Sequence, residues 1–230
     1  YLPDEKKTTV MDGHGGYMNG SRYYGEDLPI NTWYMKRFAG LSEDGLSLWY
    51  YTDKETNEEK TTTTYSTGDF YLCGDPNPDL YGGFGTSITF HGFDLSTQFS
   101  YLVGGLTYDY GYAGMMGNPT ATSVGNRWHK DVLKAWSPEN PSSTIPRWYF
   151  NDLNTTGSSD RFLIDGSYLN LQNIQVGYTL PDSWTSHLKI KNLRLYFVCD
   201  NVYYWSKRKG LDPRRSISGV GTSGKIAPFR

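Results

Sequence analysis

The amino-acid sequence predicts an all-β chain, and more narrowly a segment of an antiparallel transmembrane β-barrel with long loops at one end. Three observations lead there. Residues 192–205 alternate, with Leu193, Leu195, Phe197, Cys199, Tyr203 and Trp205 on one face and Asn192, Arg194, Tyr196, Asp200 and Tyr204 on the other, and a period of two is the period of a strand. Connections between such segments are by turns short and long, and because antiparallel strands reverse direction each time, every long one leaves the same end of the sheet, as in membrane barrels. No apolar run approaches the roughly 20 residues of a membrane helix. That excludes helices only, because barrel strands spend half their residues on a polar lumen.

Taken in order, residues 1–25 are polar, Gly-rich and without period, and read as loop. EDLPINTWYMKRF at 26–38 has strand composition but poor alternation, with Leu28, Ile30 and Tyr34 on one face and Trp33 and Met35 on the other. Residues 39–81 carry Gly, Asp, Glu, Lys and a Thr run, which predicts a long loop with room for small hairpins. The next strands, 82–91 and 93–104, are clean. Phe84, Thr86, Ile88 and Phe90 oppose Gly83, Gly85, Ser87 and Thr89; after His91-Gly92 the chain returns with Phe93, Leu95, Phe99, Tyr101 and Val103 against Asp94, Ser96, Gln98 and Ser100, a tight hairpin. Strand period is then lost over 105–166, a second long loop, in which NRWHKDVLKAW at 126–136 predicts a short helix stopped by Ser137-Pro138. A strand at 167–180 shifts its apolar phase near Asn173, from Leu169 and Leu171 to Ile174, Val176 and Tyr178, which predicts a bulge. The strand at 192–205 follows, and 206–230 is a third long loop.

Two unlike faces imply two solvents. In a membrane the apolar faces meet lipid and the polar faces line a lumen; strands 93–104 and 192–205 reach the roughly 9 to 11 residues that a tilted membrane strand needs. Phe90, Phe93, Tyr203 and Trp205 would sit in interfacial girdles. The 22 basic residues are scattered in a chain of net charge −2, so there is no electrostatic footprint for nucleic acid and no polybasic membrane patch.

Little in the sequence suggests chemistry. His14, His91, His129 and His187 stand far apart without ligand spacing, so no metal site is expected. Residues 75–79, DPNPD, echo a calcium loop, but Leu80 stands where the invariant Gly belongs and Thr86 where the bidentate Glu belongs; a stiff proline turn is the better reading. Cys73 in a loop and Cys199 in mid-strand are expected as free thiols. No Ser-His-Asp spacing, phosphate loop or carboxylate pair argues for an enzyme or a cofactor. Aromatics gather in the loops instead, among them Trp49, Tyr50, Tyr51, Tyr110 and Tyr112, where for any single ring packing within the loop is the better reading and stacking on a sugar the other.

DRFLIDGSYLNLQNIQVGYTLP followed by LRLYFVCDNVYYWSKRKGLDP resembles the C-terminal end of the SusC/RagA family of TonB-dependent outer-membrane transporters. GDPNPDLYGGFGTSITFHGFDLSTQFSYLVGG is similar to an upstream hairpin of that family, and WSPENPSSTIPR to one of its loops. Asp200-Asn201 departs from the family's usual Gln-Asn, and Arg214-Arg215 stand where Glu is usual. The resemblance implies the outer membrane, a barrel of about 22 strands, a SusD-like lipoprotein lid, energy from the TonB complex, and oligosaccharide or peptide as substrate. About five strands cannot close in lipid, since open edges leave backbone groups unpaired, so the chain is expected to be part of a longer barrel whose plug domain and last strand it lacks. Under this reading Tyr108, Asp109, Trp128, Trp136, Arg147, Trp148 and Tyr149 face outward as substrate or lid contacts, with 126–136 and the stiff 138–146 run as a seat for the lid. Two other readings use the same residues: a soluble lectin-like β-sandwich, and a surface adhesin barrel without energy coupling.

Overall fold

In the computed structural model, which describes residues 9–120, 127–152, 157–186 and 189–207, the chain forms two units that it visits alternately. The first begins with β1 (Thr9–Met11), β2 (His14–Asn19), β3 (Arg22–Gly25), β4 (Thr32–Lys36), β5 (Phe38–Leu41), β6 (Ser47–Thr52), β7 (Glu59–Thr62) and β8 (Phe70–Leu72). The second takes β9 (Leu80–Phe90) and β10 (Phe93–Val103). The chain then runs through β11 (Leu106–Tyr108), α1 (Tyr110–Met115), a 3₁₀ turn at Lys130–Lys134 and β12 (Leu163–Asp165), and finishes with β13 (Tyr168–Thr179), α2 (Asp182–Thr185) and β14 (Arg194–Ser206).

In the first unit β1, β2, β3, β4 and β8 form a five-stranded sheet, and β5, β6 and β7 a small meander. Local chemistry sets the turns. Asp12 and Gly13 both adopt positive φ, 47° and 85°, as an Asp-Gly hairpin turn requires, and Gly20 at 61° opens the turn from Asn19 to Arg22. β4 is buried throughout. Trp33 and Met35 join Tyr108, Met116 and Phe162 in the core, while Tyr34 on the other face packs on Tyr23 and Phe70 with centroids 5.5 and 5.1 Å away. Lys36, only 4% exposed, gives its ammonium to the carbonyls of Tyr65, Ser66 and Gly68 at 2.5, 3.3 and 2.6 Å, so the buried charge is met by three acceptors.

This corrects part of the expectation for 9–81. The strand expected at 26–38 forms at Thr32–Lys36 but pairs with β3 and β8 rather than with the long strands. A strand covered on both faces has no polar side to alternate with, hence its weak period. Residues 9–25, read as loop, hold β1 to β3, while 39–81, read as a long loop with room for small hairpins, holds the β5–β6–β7 hairpins and also β8; residues 1–8 lie outside the described residues.

The second unit is one antiparallel sheet in the order β14-β13-β10-β9. His91 and Gly92, at φ 48° and 85°, make its two-residue turn. Register sets Phe90, Phe93, Tyr178 and Leu195 in one cross-strand row, then Ile88, Leu95, Val176 and Phe197, and further along Phe84, Phe99, Leu171 and Tyr203. Most of these side chains are exposed. The opposite face carries Asp94, Gly177 and Tyr196, then Ser96 and Gln175, then Gln98, Asn173 and Asp200. Arg194 reaches Asp94 in a two-bond pair, Nε to Oδ1 at 2.9 Å and Nη2 to Oδ2 at 2.5 Å. The pair passes over Gly177, where a Cβ would stand 2.5 Å from Asp94 Oδ1. Gln98 pairs with Asn173 and Phe99 with Leu171, so Gln172 is an extra residue, and opposite it β14 turns through Asn201 at φ 52°. The bulge carries β13 from one apolar phase to the other without taking an apolar residue off its face. Because Phe93 lies beside Tyr178 and Phe90, the turn 91–92 and the connection 180–193 share one end of the sheet, while 104–167 leaves from the other.

Candidate functional site

The candidate contact residues lie in the first unit, and the structure divides them. Tyr108 is buried with its ring 5.9 Å from both Trp33 and Phe162, and Asp109 is buried at the start of α1, where it accepts from the Tyr112 N–H at 2.9 Å. Strand pairing of 106–108 draws both inward. They are core and cap residues, and the outward placement expected for them is corrected.

The other five gather where 127–152 folds back on the β5–β6 turn. The expected helix at 126–136 is a 3₁₀ turn at Lys130–Lys134, with the His129 ring accepting from the Asp131 N–H at 3.2 Å; residue 126 lies outside the described residues. The chain then reverses: Trp136 N–H donates to Ile145 O at 2.9 Å, and Ser143 Oγ donates to Lys134 O at 2.6 Å. Trp136 lies flat against Gly45, where a Cβ would stand 2.3 Å from the ring, and Arg147 N–H donates to Gly45 O at 2.8 Å. Trp148 donates from Nε1 to Gly117 O at 3.0 Å and meets Trp128 edge to face at 5.1 Å. Arg147 Nε donates to Asp152 at 2.8 Å, with its guanidinium 5.4 Å from the Tyr149 ring. Tyr149, 51% exposed, and the neighbouring Phe150 present their rings to solvent. The arrangement offers flat apolar surface beside a charged pair with donors and acceptors.

A second constellation sits at the long-loop end of the sheet. Asp165 accepts from the Ser167 N–H at 2.8 Å and from the Ser167 hydroxyl, and pairs with Lys207 Nζ at 2.7 Å. Ser167 Oγ in turn accepts from Gly104 N–H at 2.9 Å, and Gly166 N–H donates to Gly105 O at 2.8 Å. Gly104 and Gly105 hold φ of 83° and 75°, a conformation that glycine adopts without strain. Lys207 above all, then Ser167, lowers the Asp165 carboxyl to about 2. DGSY and the paired glycines thus close one strand end. Sequence reasoning named the motif without its role.

Burial pushes the Cys73 thiol up to about 11, away from the thiolate a nucleophile needs. Among the described residues no three His, Cys, Asp or Glu side chains gather as metal ligands, and no helix is long and apolar enough to cross a membrane.

No family model matches the chain. TonB-dependent receptor P3 of Formosa agariphila is 31% identical over 198 residues, which are 86% of this chain and 18% of that protein. TonB-dependent receptor SusC of Bacteroides thetaiotaomicron is 27% identical over 153 residues, 65% of this chain and 14% of that one. The RagAB peptide transporter structure superposes with a TM-score of 0.70 at 25% identity, over 89% of this chain and 22% of that one. The chain belongs to the SusC/RagA family of TonB-dependent receptors. It spans about a fifth of the length of the curated relatives it matches, or less. As a SusC/RagA chain it is an outer-membrane β-barrel segment, and β9, β10, β13 and β14 carry its exposed apolar face. The relatives are receptors and transporters rather than enzymes. The lectin-like and adhesin readings give way to this one.

Proposed function

We propose that in the complete receptor this SusC/RagA chain supplies part of the barrel wall and of the outer surface through which an oligosaccharide is imported, with a SusD-like lipoprotein as lid and the TonB complex as energy source. Family membership carries the reading. The loop unit adds support: rings such as Tyr149 and Phe150 cover the apolar face of a sugar, and Arg147 with Asp152 supplies hydrogen bonds to its hydroxyls. Peptides are the second substrate class, favoured by the likeness to the RagAB peptide transporter.

The test uses Trp148→Ala and Tyr149→Ala in the complete receptor, with uptake of labelled oligosaccharides and peptides measured beside co-purification of the lipoprotein. Loss of ring contact worth about 0.5–1.5 kcal/mol weakens capture roughly two- to tenfold while the barrel stays heat-modifiable. Lost lipoprotein with a folded barrel makes the ring a lid contact. Unchanged uptake of every substrate with the lid still bound overturns the assignment of these residues.

A further inference from the structure

We propose that the connection between β13 and β14 binds phospholipid headgroups at the short-turn end of the sheet, with Trp184 as the interfacial anchor and Lys189 and Lys191 as phosphate contacts. The lipid face does not stop at the last rung, Thr179 with Arg194. Leu180 N–H donates to Leu193 O at 2.9 Å, which carries the pairing one step further. Strand alternation then puts Leu180 and Leu193 on the apolar face with Tyr178 and Leu195.

Beyond that point the described residues 181–186 and 189–190 are folded. Trp184 N–H donates to Pro181 O at 3.0 Å, Lys189 N–H to Ser186 O at 3.0 Å and Ile190 N–H to Thr185 O at 3.2 Å, with Thr185 buried beneath. Trp184 is nonetheless 66% exposed. In the same connection an open cleft of about 510 Å³ is lined by Asp182, Ser186, Lys189, Ile190 and Lys191. A tryptophan left exposed four residues beyond Leu180, where the apolar row ends, has the amphipathic ring that settles at headgroup level. Two lysines against one carboxylate give the cleft a net attraction for phosphate, strongest with anionic lipid. Continuity with the lipid face favours a headgroup over a protein partner.

The experiment places the complete receptor, its other cysteines replaced, in vesicles of phosphatidylcholine with and without phosphatidylglycerol. Trp184→Cys carries an environment-sensitive fluorophore, and heat-modifiability verifies the barrel. The expected result is blue-shifted emission, quenched by lipids with a headgroup-level nitroxide and spared by aqueous iodide. Phosphatidylglycerol should strengthen the shift, and Lys189→Gln with Lys191→Gln should abolish that gain. Water-like emission quenched by iodide overturns the proposal, as does a blue shift that lipid nitroxides leave untouched, which marks a protein contact. Lipid quenching with no effect of the lysine changes removes the phosphate assignment.

Discussion

Asp165 joins three parts of the chain with one carboxylate: its own loop through Ser167, the end of β10 through the Ser167–Gly104 bond, and the end of β14 through Lys207. Its folded-state pKa of about 2 lies below the ordinary carboxylate value, so its stabilising contribution is complete above about pH 4 and is lost as pH falls toward about 2. Thermal midpoints of the complete receptor and its Asp165→Asn variant should therefore differ most above about pH 4 and converge by about pH 2. A gap that persists at the acid end would mean that the side chain acts by packing rather than by charge. Of such residue-scale detail the sequence held only part. Arg147, Trp148 and Tyr149 were legible as an aromatic and charged run, and Asp165-Gly166-Ser167 as a motif. The burial of Tyr108 and Asp109 was not, because nothing local shows that 106–108 pairs with a strand more than fifty residues away.

The long strands were readable because one face of each is apolar and the other largely polar, so period two survives in β10 and β14, and the phase slip in β13 marks its bulge. β4 was blurred by burial on both faces. β1, β2 and β3 were missed although Asp12-Gly13 and Asn19-Gly20 are hairpin signals, since Thr9–Met11, His14–Asn19 and Arg22–Gly25 are short and carry no run of alternating aliphatics. The element-scale prediction follows from β10. Phe99 stacks on Phe84 at 4.9 Å in a mid-strand lipid row, and Gln98 stands on the opposite face in the row of Asn173 and Asp200. Phe99→Arg should cost about 2–4 kcal/mol in the membrane-inserted receptor and Gln98→Arg far less, read from denaturant unfolding in lipid. Ser100 is the poorer control because Asn170 Nδ2 donates to its hydroxyl. Equal costs at 98 and 99 would remove the membrane assignment of the strand.

At the scale of the whole molecule, an open sheet with one apolar and one polar face, its two shorter connections at one end and its long one at the other, makes sense as barrel wall. β9 and β14 are the outer strands of the four-stranded sheet among the described residues. In hydrocarbon each needs a partner strand for its free backbone groups, which the complete receptor would supply. The most direct measurement is a spin-label scan of β10 and β13 in the complete receptor in lipid, comparing access to oxygen and to a water-soluble nickel chelate. Oxygen should dominate at 93, 95, 97, 99, 101 and 103 of β10, and at 169 and 171 of β13, then at 174, 176 and 178, the phase changing at Gln172. The chelate should dominate at the positions between. Absence of alternation, or one unbroken phase through Gln172, would contradict the assignment of this sheet to a membrane barrel wall.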